Sequence, residues 1–501
     1  MPIRIPWYIL IVLSLLLFAM AADTLAQSGA ISWTPIRQIP NFDRISRAPL
    51  LAAGPDGTLH AFNVEGDEDW GQMIMYRDWT LQRGWSNATA VLMSTTPEEA
   101  AGVFAAFVDD SNFIHLIYYS GLTEGATIYY TFAPATEAGK ATAWATPEPI
   151  ALNGGPLFNG ALASDGQDSF FLVYQGQDTN ILTGPGLYFV YSLDGGVSWS
   201  SPEPIFFTYS DNLWPWSIRL LFTDDGRLHA VWSVINGLGV GDEVYYSRLD
   251  DPDGPWAKPY LLARREGNDY SANWPAIIND EETLLVVYQD SFPAARFMRR
   301  SLDGGETWLG VERPVPHVGE YENPVLLKDS SGTIHLITGS RIGDPGIHGL
   351  WHAIWLGERW SELTPITSGP RTDEYDPSAP QAIIIQGNIL LATWWNNVPR
   401  EYLTGAWHSY ALLDAPDTAT MFSAQTLPIQ PTNIDTAGTA PAPTLELSPD
   451  MPESLANSSN PTGENLASPL YLGVLASFLL IVVVLSVKRI RKTGMFQMGN
   501  E

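Results

Sequence analysis

The sequence predicts an all-β fold, a β-propeller of four-stranded blades in which seven blades are favoured and six are the alternative. The main observation is a short strand phrase that recurs at steps of 55, 56, 58, 56, 50 and 55 residues. A period of this length, built from strand-sized segments, is typical of propeller blades. The phrase predicts the second strand of each blade, at Thr58-Leu59-His60, Phe113-Ile114-His115, Ser169-Phe170-Phe171, Arg227-Leu228-His229, Thr283-Leu284-Leu285, Thr333-Ile334-His335 and Asn388-Ile389-Leu390.

Each unit continues with a strand that is often rich in tyrosine and then, in most units, with a tryptophan. The aromatic content of 12% suits many short strands that need large side chains between sheets. The predicted third strands are 73–77, 127–132, 187–191, 243–248, 296–300, 349–355 and 405–412. Fourth strands are predicted to begin at Trp85, Trp144, Trp199, Trp256, Trp308 and Trp360.

The seventh unit lacks this last strand directly after Leu413, and the same phrase stands alone at the start of the chain in Trp33-Thr34-Pro35-Ile36-Arg37. We therefore expect the N-terminal strand to complete the last blade and close the ring. Closure removes the sheet edges that would otherwise invite aggregation.

A turn motif, S-L-D-G-G-x-[ST]-W, occurs twice, at 192–199 and 301–308. Asp accepts hydrogen bonds from backbone N–H groups in a tight turn, and Gly adopts the positive φ that bulkier residues resist. These turns therefore carry structural rather than catalytic residues: Ser192, Asp194, Gly196 and Trp199 in the first copy, and Ser301, Asp303, Gly305 and Trp308 in the second.

The motif is the Asp-box, or BNR repeat, and through it the chain resembles the sialidase-like β-propeller superfamily. In that family the box lies on hairpin tips remote from the substrate pocket. The resemblance covers roughly residues 31 to 412 as architecture. It implies a carbohydrate-related function, which the fold alone does not establish.

Composition excludes several classes of protein. The formal net charge is −29, with 26 basic against 55 acidic residues, so nucleic acid is not expected as a partner. The chain has no cysteine, which excludes thiol and zinc-thiolate chemistry. Four histidines, His60, His115, His229 and His335, share one repeating strand position. We interpret them as packing residues in separate blades, so no metal and no cofactor are expected.

The two ends of the chain read as a signal and an anchor. Residues 1–26 resemble a secretory signal peptide, with a retained N-terminal anchor as the alternative. Residues 469–487 are uncharged and long enough to cross a bilayer, and the basic segment that follows, in 488–501, predicts a cytoplasmic tail. The region 413–468, rich in Pro, Thr and Ser, predicts a disordered stalk. We thus expect a single-pass type I protein of the cell membrane, with the propeller, residues 31–412, outside.

Candidate binding loops lie on the face opposite the Asp-boxes, where aromatic residues recur beside Asn, Asp or Pro. Aromatic faces next to amides and carboxylates suit sugars, because C–H faces stack on rings and hydroxyls bond to polar groups. The alternative is that these residues merely fill the axial channel. The candidates are Trp214, Trp274, Glu322, Asn323 and Tyr375, together with Arg219 and Arg341.

The family resemblance implies further, catalytic candidates. Sialidases open with an Arg-x-Pro strand whose arginine grips the substrate carboxylate, and Arg47-Ala48-Pro49 looks like that opening. Tyr321 loosely resembles the nucleophile, Asp67 or Asp69 could stand in for the acid/base, and Arg219 and Arg341 are candidates for the other arginines. The chain departs from the family because Glu65 is followed by Gly66 rather than Arg, and because catalytic members have six blades.

Two functions of different class follow from these features. The first is a surface-anchored binding module that grips an extracellular glycan or glycoprotein at the open face of the propeller. The second is an exo-acting glycoside hydrolase of the sialidase type, and a protein-interaction platform is a third possibility. The sequence leaves open whether the protein is an enzyme.

Overall fold

The computed structural model describes residues 31–40, 47–67, 71–94, 100–121, 126–152, 159–176, 185–210, 212–267, 271–290, 295–312, 323–342 and 346–418. Within them the chain is all-β apart from three short 3-10 helices, at Ala135–Glu137, Ala141–Ala143 and Arg400–Tyr402. The strands form seven antiparallel sheets, which are the seven predicted blades.

The blades follow one another along the chain. The N-terminal strand is β1 (Arg37–Gln38). Blade 1 holds β2 (Leu50–Ala53), β3 (Leu59–Asp67), β4 (Gly71–Thr80), β5 (Gly84–Trp85) and β6 (Thr89–Met93). Blade 2 holds β7 (Ala100–Val108), β8 (Phe113–Gly121), β9 (Thr127–Pro134) and β10 (Glu148–Leu152). Blade 3 holds β11 (Gly160–Ser164), β12 (Phe170–Gly176), β13 (Gly186–Ser192) and β14 (Glu203–Phe207).

The remaining blades repeat this order. Blade 4 holds β15 (Leu213–Phe222), β16 (Leu228–Asn236), β17 (Gly241–Leu249) and β18 (Tyr260–Arg264). Blade 5 holds β19 (Asn273–Asp280), β20 (Thr283–Asp290) and β21 (Ala295–Ser301). Blade 6 holds β22 (Val325–Lys328), β23 (Ile334–Ile342), β24 (Ile347–Ile354) and β25 (Thr364–Pro370). Blade 7 holds β26 (Pro377–Ile385), β27 (Ile389–Asn396) and β28 (Ala406–Leu412).

The ring closes as predicted. In blade 7 the outermost strand is β1, which pairs antiparallel with β28, with Arg37 opposite His408 and Gln38 opposite Trp407. Each blade's first strand is a neighbour of the first strands of the blades on either side, and the last of them, β26, lies against β2. Seven inner strands therefore surround one axis, and the two ends of the propeller sequence meet in a single sheet.

The predicted fourth strands differ from the observed ones in where they begin. In blade 3 the Ser200 N–H bonds to the Tyr191 carbonyl at 2.8 Å directly after Trp199, but the ladder of β14 starts only at Glu203. Blade 2 shows the same offset, from Trp144 to Glu148. In blade 5 the described residues contribute only a bridge between Met298 and Glu312. The tryptophan lies in the turn that precedes the strand. Its ring packs on the neighbouring blade, and the strand ladder begins a few residues later.

The core lies between the blades and is largely aromatic. Between blades 3 and 4 the rings of Phe171 and Phe222 stack at 5.2 Å, and Trp232 is fully buried beside them. Burial of each such side chain stabilises the fold by roughly 2–3 kcal/mol. The same kind of contact recurs at the other interfaces, so every blade needs both neighbours.

The propeller has two distinct faces. We call the face with the turns between third and fourth strands the Asp-box face, since both boxes lie there. The opposite face, where inner strands begin and second strands end, is called the mouth face; in blade 4 its first pair is Leu213 with Asn236. Both chain ends of the described propeller lie on the Asp-box face: Trp33 bridges Ala411 near the end of β28, and Thr418 N–H bonds to the Gln386 carbonyl at 3.0 Å.

Candidate functional site

Three inner strands are distorted at the same place near the mouth face. The ladders between first and second strands shift register at Trp216/Arg219 in blade 4, Asn273/Ala276 in blade 5 and Ser378/Gln381 in blade 7. At each shift one residue adopts a left-handed backbone: Ser217 with φ 52°, Trp274 with φ 48° and Ala379 with φ 50°. Such strain in residues other than glycine concentrates at functional sites, and bulges re-aim side chains next to them.

Six buried polar atoms without a partner among the described residues lie near the mouth ends of blades 4 to 7. Polar groups in protein interiors are normally hydrogen-bonded, and each one left unsatisfied costs about 1–3 kcal/mol. Water or a ligand at this end would complete their bonding. The atoms are Ser217 Oγ, Gln289 Oε1, Asn323 Oδ1, Ser378 Oγ, Thr393 Oγ1 and Asn396 Oδ1.

Arg219 follows the bulge of blade 4 and lies close to the axis. Its half-buried guanidinium donates a hydrogen bond from Nη1 to the Ile218 carbonyl at 2.8 Å, and no described carboxylate forms an ion pair with it. Desolvation lowers the pKa of Arg219 to about 10. It is still a cation at neutral pH, so a desolvated positive charge lies beneath the mouth without an ion pair to any carboxylate among the described residues.

Arg47 lies at the start of blade 1 on the mouth face. Its guanidinium carbon is 5.1 Å from the ring centroid of Trp395, which belongs to blade 7. Its carbonyl accepts a hydrogen bond from the Asn63 amide at 3.2 Å. Arg47 and Arg219 therefore belong to blades 1 and 4, on different sides of the ring.

The aromatic candidates are also at the mouth. Trp214, the second residue of β15, lies opposite Ile235 and is half-buried. Trp274 is the residue of β19 that has the left-handed backbone conformation. Tyr375 precedes β26, and its hydroxyl bonds to Thr367 Oγ1 at 2.8 Å. Rings from blades 4 and 5 and from the segment before blade 7 therefore lie at the mouth ends of their strands.

One site feature was missed by sequence reasoning. His348, in the third strand of blade 6, bonds through Nδ1 to Oδ1 of the fully buried Asp376 at 2.5 Å. Arg371 Nε lies 3.6 Å from the other oxygen of the same carboxylate. A histidine held by a buried carboxylate can exchange protons through its second ring nitrogen. The two residues are 28 positions apart and in different blades, so no local motif shows the pair.

Several predicted site residues fall outside the described residues: Asp69, Tyr321 and Glu322. For Asp67 and Arg341 the structure describes the strand position but not the side chain, at the mouth ends of β3 and β23 respectively. Asn323 is half-buried just before β22. Their catalytic and ligand-binding roles remain predictions.

The two Asp-boxes are built alike, on the opposite face. In the first, Ser192 Oγ donates to Asp194 Oδ1 at 2.8 Å and accepts from Gly196 N–H at 2.9 Å, while Asp194 accepts from the Ser198 N–H at 2.9 Å. In the second the corresponding distances are 2.7, 2.8 and 2.9 Å around Asp303. Hydrogen bonds from the Thr307 hydroxyl and N–H lower the pKa of Asp303 to about 2. The carboxylates of Asp194 and Asp303 are therefore already hydrogen-bonded within their own turns.

Each box docks on a tyrosine of the preceding blade. Tyr130 donates its hydroxyl hydrogen to the Gly195 carbonyl at 3.0 Å, and Trp199 packs on the Tyr130 ring at 5.5 Å. In the second box Trp308 packs edge-on to Tyr246 at 4.8 Å. The box is therefore a clasp between blades.

The repeating histidines each bond to an aromatic side chain of the third strand in their own blade. His60, His115 and His229 bond through Nδ1 to tyrosine hydroxyls at 2.8 Å, and His335 bonds to His352 at 2.9 Å. The part of the chain that the structure describes contains no group of three or more metal-ligating side chains. Nor does any helix in it have the length and apolar character needed to span a membrane; the predicted span 469–487 lies outside the described residues.

Fold and clasps together define a seven-bladed β-propeller of the Asp-box class. Among solved structures, an ulvan lyase of a new polysaccharide-lyase family, bound to -[GlcA(1-4)Rha3S]-, matches with a TM-score of 0.51 and 12% identity, over 76% of this chain and 97% of that one. A Dyadobacter fermentans protein of unknown function matches with a TM-score of 0.44 and 16% identity, over 76% and 99%. The NanB sialidase of Streptococcus pneumoniae matches with 0.43 and 12%, over 78% and 72%.

At 12% identity, the match to the ulvan lyase shows a shared propeller fold and nothing finer. No protein-family model matches the chain, and neither does any curated protein. The reaction or ligand must therefore be argued from the site itself.

Proposed function

We propose that this propeller binds an acidic carbohydrate at the mouth face. The observation that carries the proposal is Arg219, a desolvated guanidinium near the axis that no described carboxylate neutralises. Burying an unpaired charge is costly, and a binding site recovers that cost when an anionic ligand arrives. Guanidinium groups bind carboxylates and sulfates in two-pronged geometry, which adds specificity to the charge.

The residues around Arg219 can contact the uncharged part of the sugar. Ser217 Oγ, in the same strand β15, and Gln289 Oε1, in β20 of the next blade, are unsatisfied and can complete their hydrogen bonding with ring hydroxyls. Trp214 and Trp274 offer apolar ring surface for the C–H faces. The fold supports the same class of ligand, because a structural neighbour with a TM-score of 0.51 was solved with a glucuronic-acid-containing saccharide.

The test compares binding with stability in one variant. Arg219→Gln should lower affinity for a glucuronate-containing oligosaccharide at least tenfold, since a hydrogen bond to a charged group contributes about 1.5–3 kcal/mol. The carboxyl-reduced form of the same oligosaccharide should bind equally to both proteins. Arg83→Gln is the matched control: Arg83 is an exposed arginine on the Asp-box face, paired with Asp78 at 2.8 Å.

The melting temperature separates this role from a structural one. Replacing a desolvated charge that no described carboxylate pairs with by a neutral group should leave stability unchanged or raise it. A variant that melts earlier while retaining affinity for the acidic oligosaccharide would show that Arg219 supports the fold and would refute the proposal.

A catalytic version of this function is favoured by the His348–Asp376 pair. If Nδ1 donates its hydrogen to Asp376, Nε2 carries the lone pair and can accept a proton from a bound substrate. The assay incubates the protein with an acidic polysaccharide and follows new reducing ends and new unsaturated ends, which distinguish hydrolysis from elimination. Turnover that is lost in His348→Gln while oligosaccharide affinity persists would establish catalysis; absence of both products in the unmodified protein would leave binding alone.

The sialidase-type reaction is kept as an alternative with its own test. It would use Arg47 on the substrate carboxylate, with Tyr321 and either Asp67 or Asp69 at the reacting bond, as the family resemblance implies. Release of a fluorophore from a sialoside, abolished by Arg47→Ala, would support it. Release that is unaffected by that substitution would rule out this assignment of Arg47.

We further propose that the propeller is displayed outside the cell. The proposal rests on the sequence of 1–26, on the uncharged run 469–487 and on the basic residues that follow it. Protease added to intact cells should release the propeller and leave a membrane fragment that carries the C-terminus. A propeller that is protected until the cells are opened would contradict this topology.

A further inference from the structure

An exposed tyrosine lies on the mouth face where the chain crosses from blade 3 to blade 4. Tyr209 comes just after β14 and is 70% exposed. Its hydroxyl donates a hydrogen bond to Asp242 Oδ2 in blade 4 at 3.0 Å. The preceding residue, Thr208, is buried, and its N–H and hydroxyl bond to the Pro185 carbonyl at 2.9 and 3.0 Å. The tyrosine is therefore tethered at its backbone and at its hydroxyl while its ring stays in contact with solvent.

The turn between β16 and β17, on the same face, presents a second apolar side chain. Leu238 lies in this turn and is 74% exposed. Asn236 Oδ1 accepts hydrogen bonds from the N–H groups of Leu238 and Val240 at 2.9 and 3.1 Å, which fixes the turn. The Cβ positions of Gly237 and Gly239 have no atom of the described residues within 4 Å. The surface beside Leu238 is therefore open on the part of the mouth that the structure describes.

Strand order places these side chains in one row that begins beside Arg219. The sheet of blade 4 runs β15-β16-β17-β18 from the axis outward. Trp214 lies in β15, Leu238 follows β16, and Tyr209 is held by Asp242 in β17. Neighbouring strands are about 4.8 Å apart, so the row extends roughly 10 Å outward from β15. A row of this length exceeds one sugar ring and suits a chain of sugars.

A second guanidinium lies at the outer end of the row. Arg264, the last residue of β18, has a side chain that is 63% exposed, and its Nε and Nη2 lie 2.8 and 2.6 Å from Oε1 of the buried Glu243. Desolvation and the bond to Asp242 raise the pKa of Tyr209, while the positive charge of the neighbouring Arg264 acts in the opposite direction. A guanidinium has five N–H groups, so those of Arg264 that face solvent can also meet an acidic group on a saccharide. Because Glu243 balances this charge, Arg264 should contribute less to binding than Arg219.

We propose that Trp214, Leu238 and Tyr209, together called the blade 4 track, bind the sugar units that extend outward from the unit held by Arg219. The ligand is then a stretch of an acidic polysaccharide several units long. Its C–H faces pack on the two aromatic rings and on the leucine, and its hydroxyls remain in water. This inference rests on the proposed carbohydrate function, because Arg219 fixes the first unit.

The experiment measures how affinity depends on chain length. Isothermal titration calorimetry of the full chain compares a disaccharide, a tetrasaccharide and a hexasaccharide of one glucuronate-containing series. The tetrasaccharide should bind more tightly than the disaccharide by about fivefold or more, because its outer units contact the aromatic surface of the track. Equal affinities for all three lengths would refute the track.

Variants separate the track from the greater number of binding registers that a longer oligosaccharide offers. Tyr209→Ala combined with Leu238→Ser should abolish most of the gain with length and leave the disaccharide affinity unchanged. Tyr209→Phe keeps the ring and should retain most of the gain. Tyr260→Ala combined with Leu302→Ser is the matched control, since both residues are exposed, at 41% and 58%, and lie at the Asp-box face; it should change no affinity.

The track and the Arg219 site fail in different ways. A full gain with length in the Tyr209 and Leu238 double variant would refute the track, while loss of disaccharide affinity in Arg219→Gln would still support the site. Disaccharide affinity that is unchanged in Arg219→Gln would refute the site itself. If the double variant melts earlier than the unmodified protein, Tyr209→Ala and Leu238→Ser are measured singly, and an unchanged gain in both would refute the track.

Discussion

Substituting alanine for Gly196 should destabilise the propeller far more than the same change at a glycine of equal backbone conformation. Gly196 has φ +86°, and a Cβ built on it would lie 2.3 Å from Tyr130 Cζ and from the Tyr130 hydroxyl oxygen. Gly226, in the turn between β15 and β16, has φ +83° and nothing within 4 Å of its Cβ position. The pair therefore separates the cost of a left-handed backbone from the cost of displacing the tyrosine.

The magnitudes follow from these two terms. A left-handed conformation costs a residue with a Cβ about 1–2 kcal/mol, which is all that Gly226→Ala should lose. Forcing an extra methyl group into a packed contact adds about 1–3 kcal/mol. Gly196→Ala also displaces the Tyr130 hydroxyl from the Gly195 carbonyl, a hydrogen bond of 3.0 Å, which contributes about 1 kcal/mol. We expect a total loss of about 3–6 kcal/mol.

Urea unfolding of both variants, followed by tryptophan fluorescence, measures the difference. Because both substitutions are Gly→Ala, their effects on the unfolded chain are matched. Equal losses at the two positions would refute the view that the Asp-box is a clasp on the neighbouring blade. A large loss at Gly226 alone would point to the inner turn instead.

Three further predictions concern the blades. Burial lowers the pKa values of His60 and His229 to about 4, so as the pH falls the unfolded chain binds protons before the folded one does. The free energy of unfolding should therefore be at its full value above about pH 6.5 and fall by up to about 3 kcal/mol per histidine as the pH drops towards 4. His229→Gln should make an acid-unfolding curve less steep. Deleting residues 1–40 should leave the edge of β28 unpaired and remove the buried side chain of Ile39. The shortened protein should therefore aggregate, which light scattering detects, whereas deletion of residues 1–30 should not cause aggregation. Ala379→Gly should raise the free energy of unfolding by about 1 kcal/mol, because it relieves a φ of 50°; a loss measured in urea would count against backbone strain at the mouth.

The blades could be predicted because the same strand positions are buried in each of them. Leu59, Leu228 and Ile334 are at most 1% exposed and occupy one position of the second strand, so a fixed period reports a fixed packing role. The N-terminal closing strand was predicted for the same reason, since the tryptophan phrase was missing from one end and present at the other. Fourth-strand starts were misplaced because Trp199 and Trp144 pack across blades before the ladder begins.

The mouth could be predicted only in outline. Its aromatic residues are visible in the sequence, but the left-handed residues are Ser217, Trp274 and Ala379, whose identities give no sign of a positive φ. The bond between His348 and Asp376 joins two blades and follows no spacing rule. Such features depend on how neighbouring sheets meet, which a repeat period does not encode.

The position of the chain ends has a practical consequence. Trp33 bridges Ala411 near the end of β28, and Thr418 bonds to Gln386 in the turn between β26 and β27, so both lie on the Asp-box face of blade 7. A bead, tag or surface coupled at either point is therefore attached on the Asp-box face, and a soluble saccharide reaches the mouth face without obstruction.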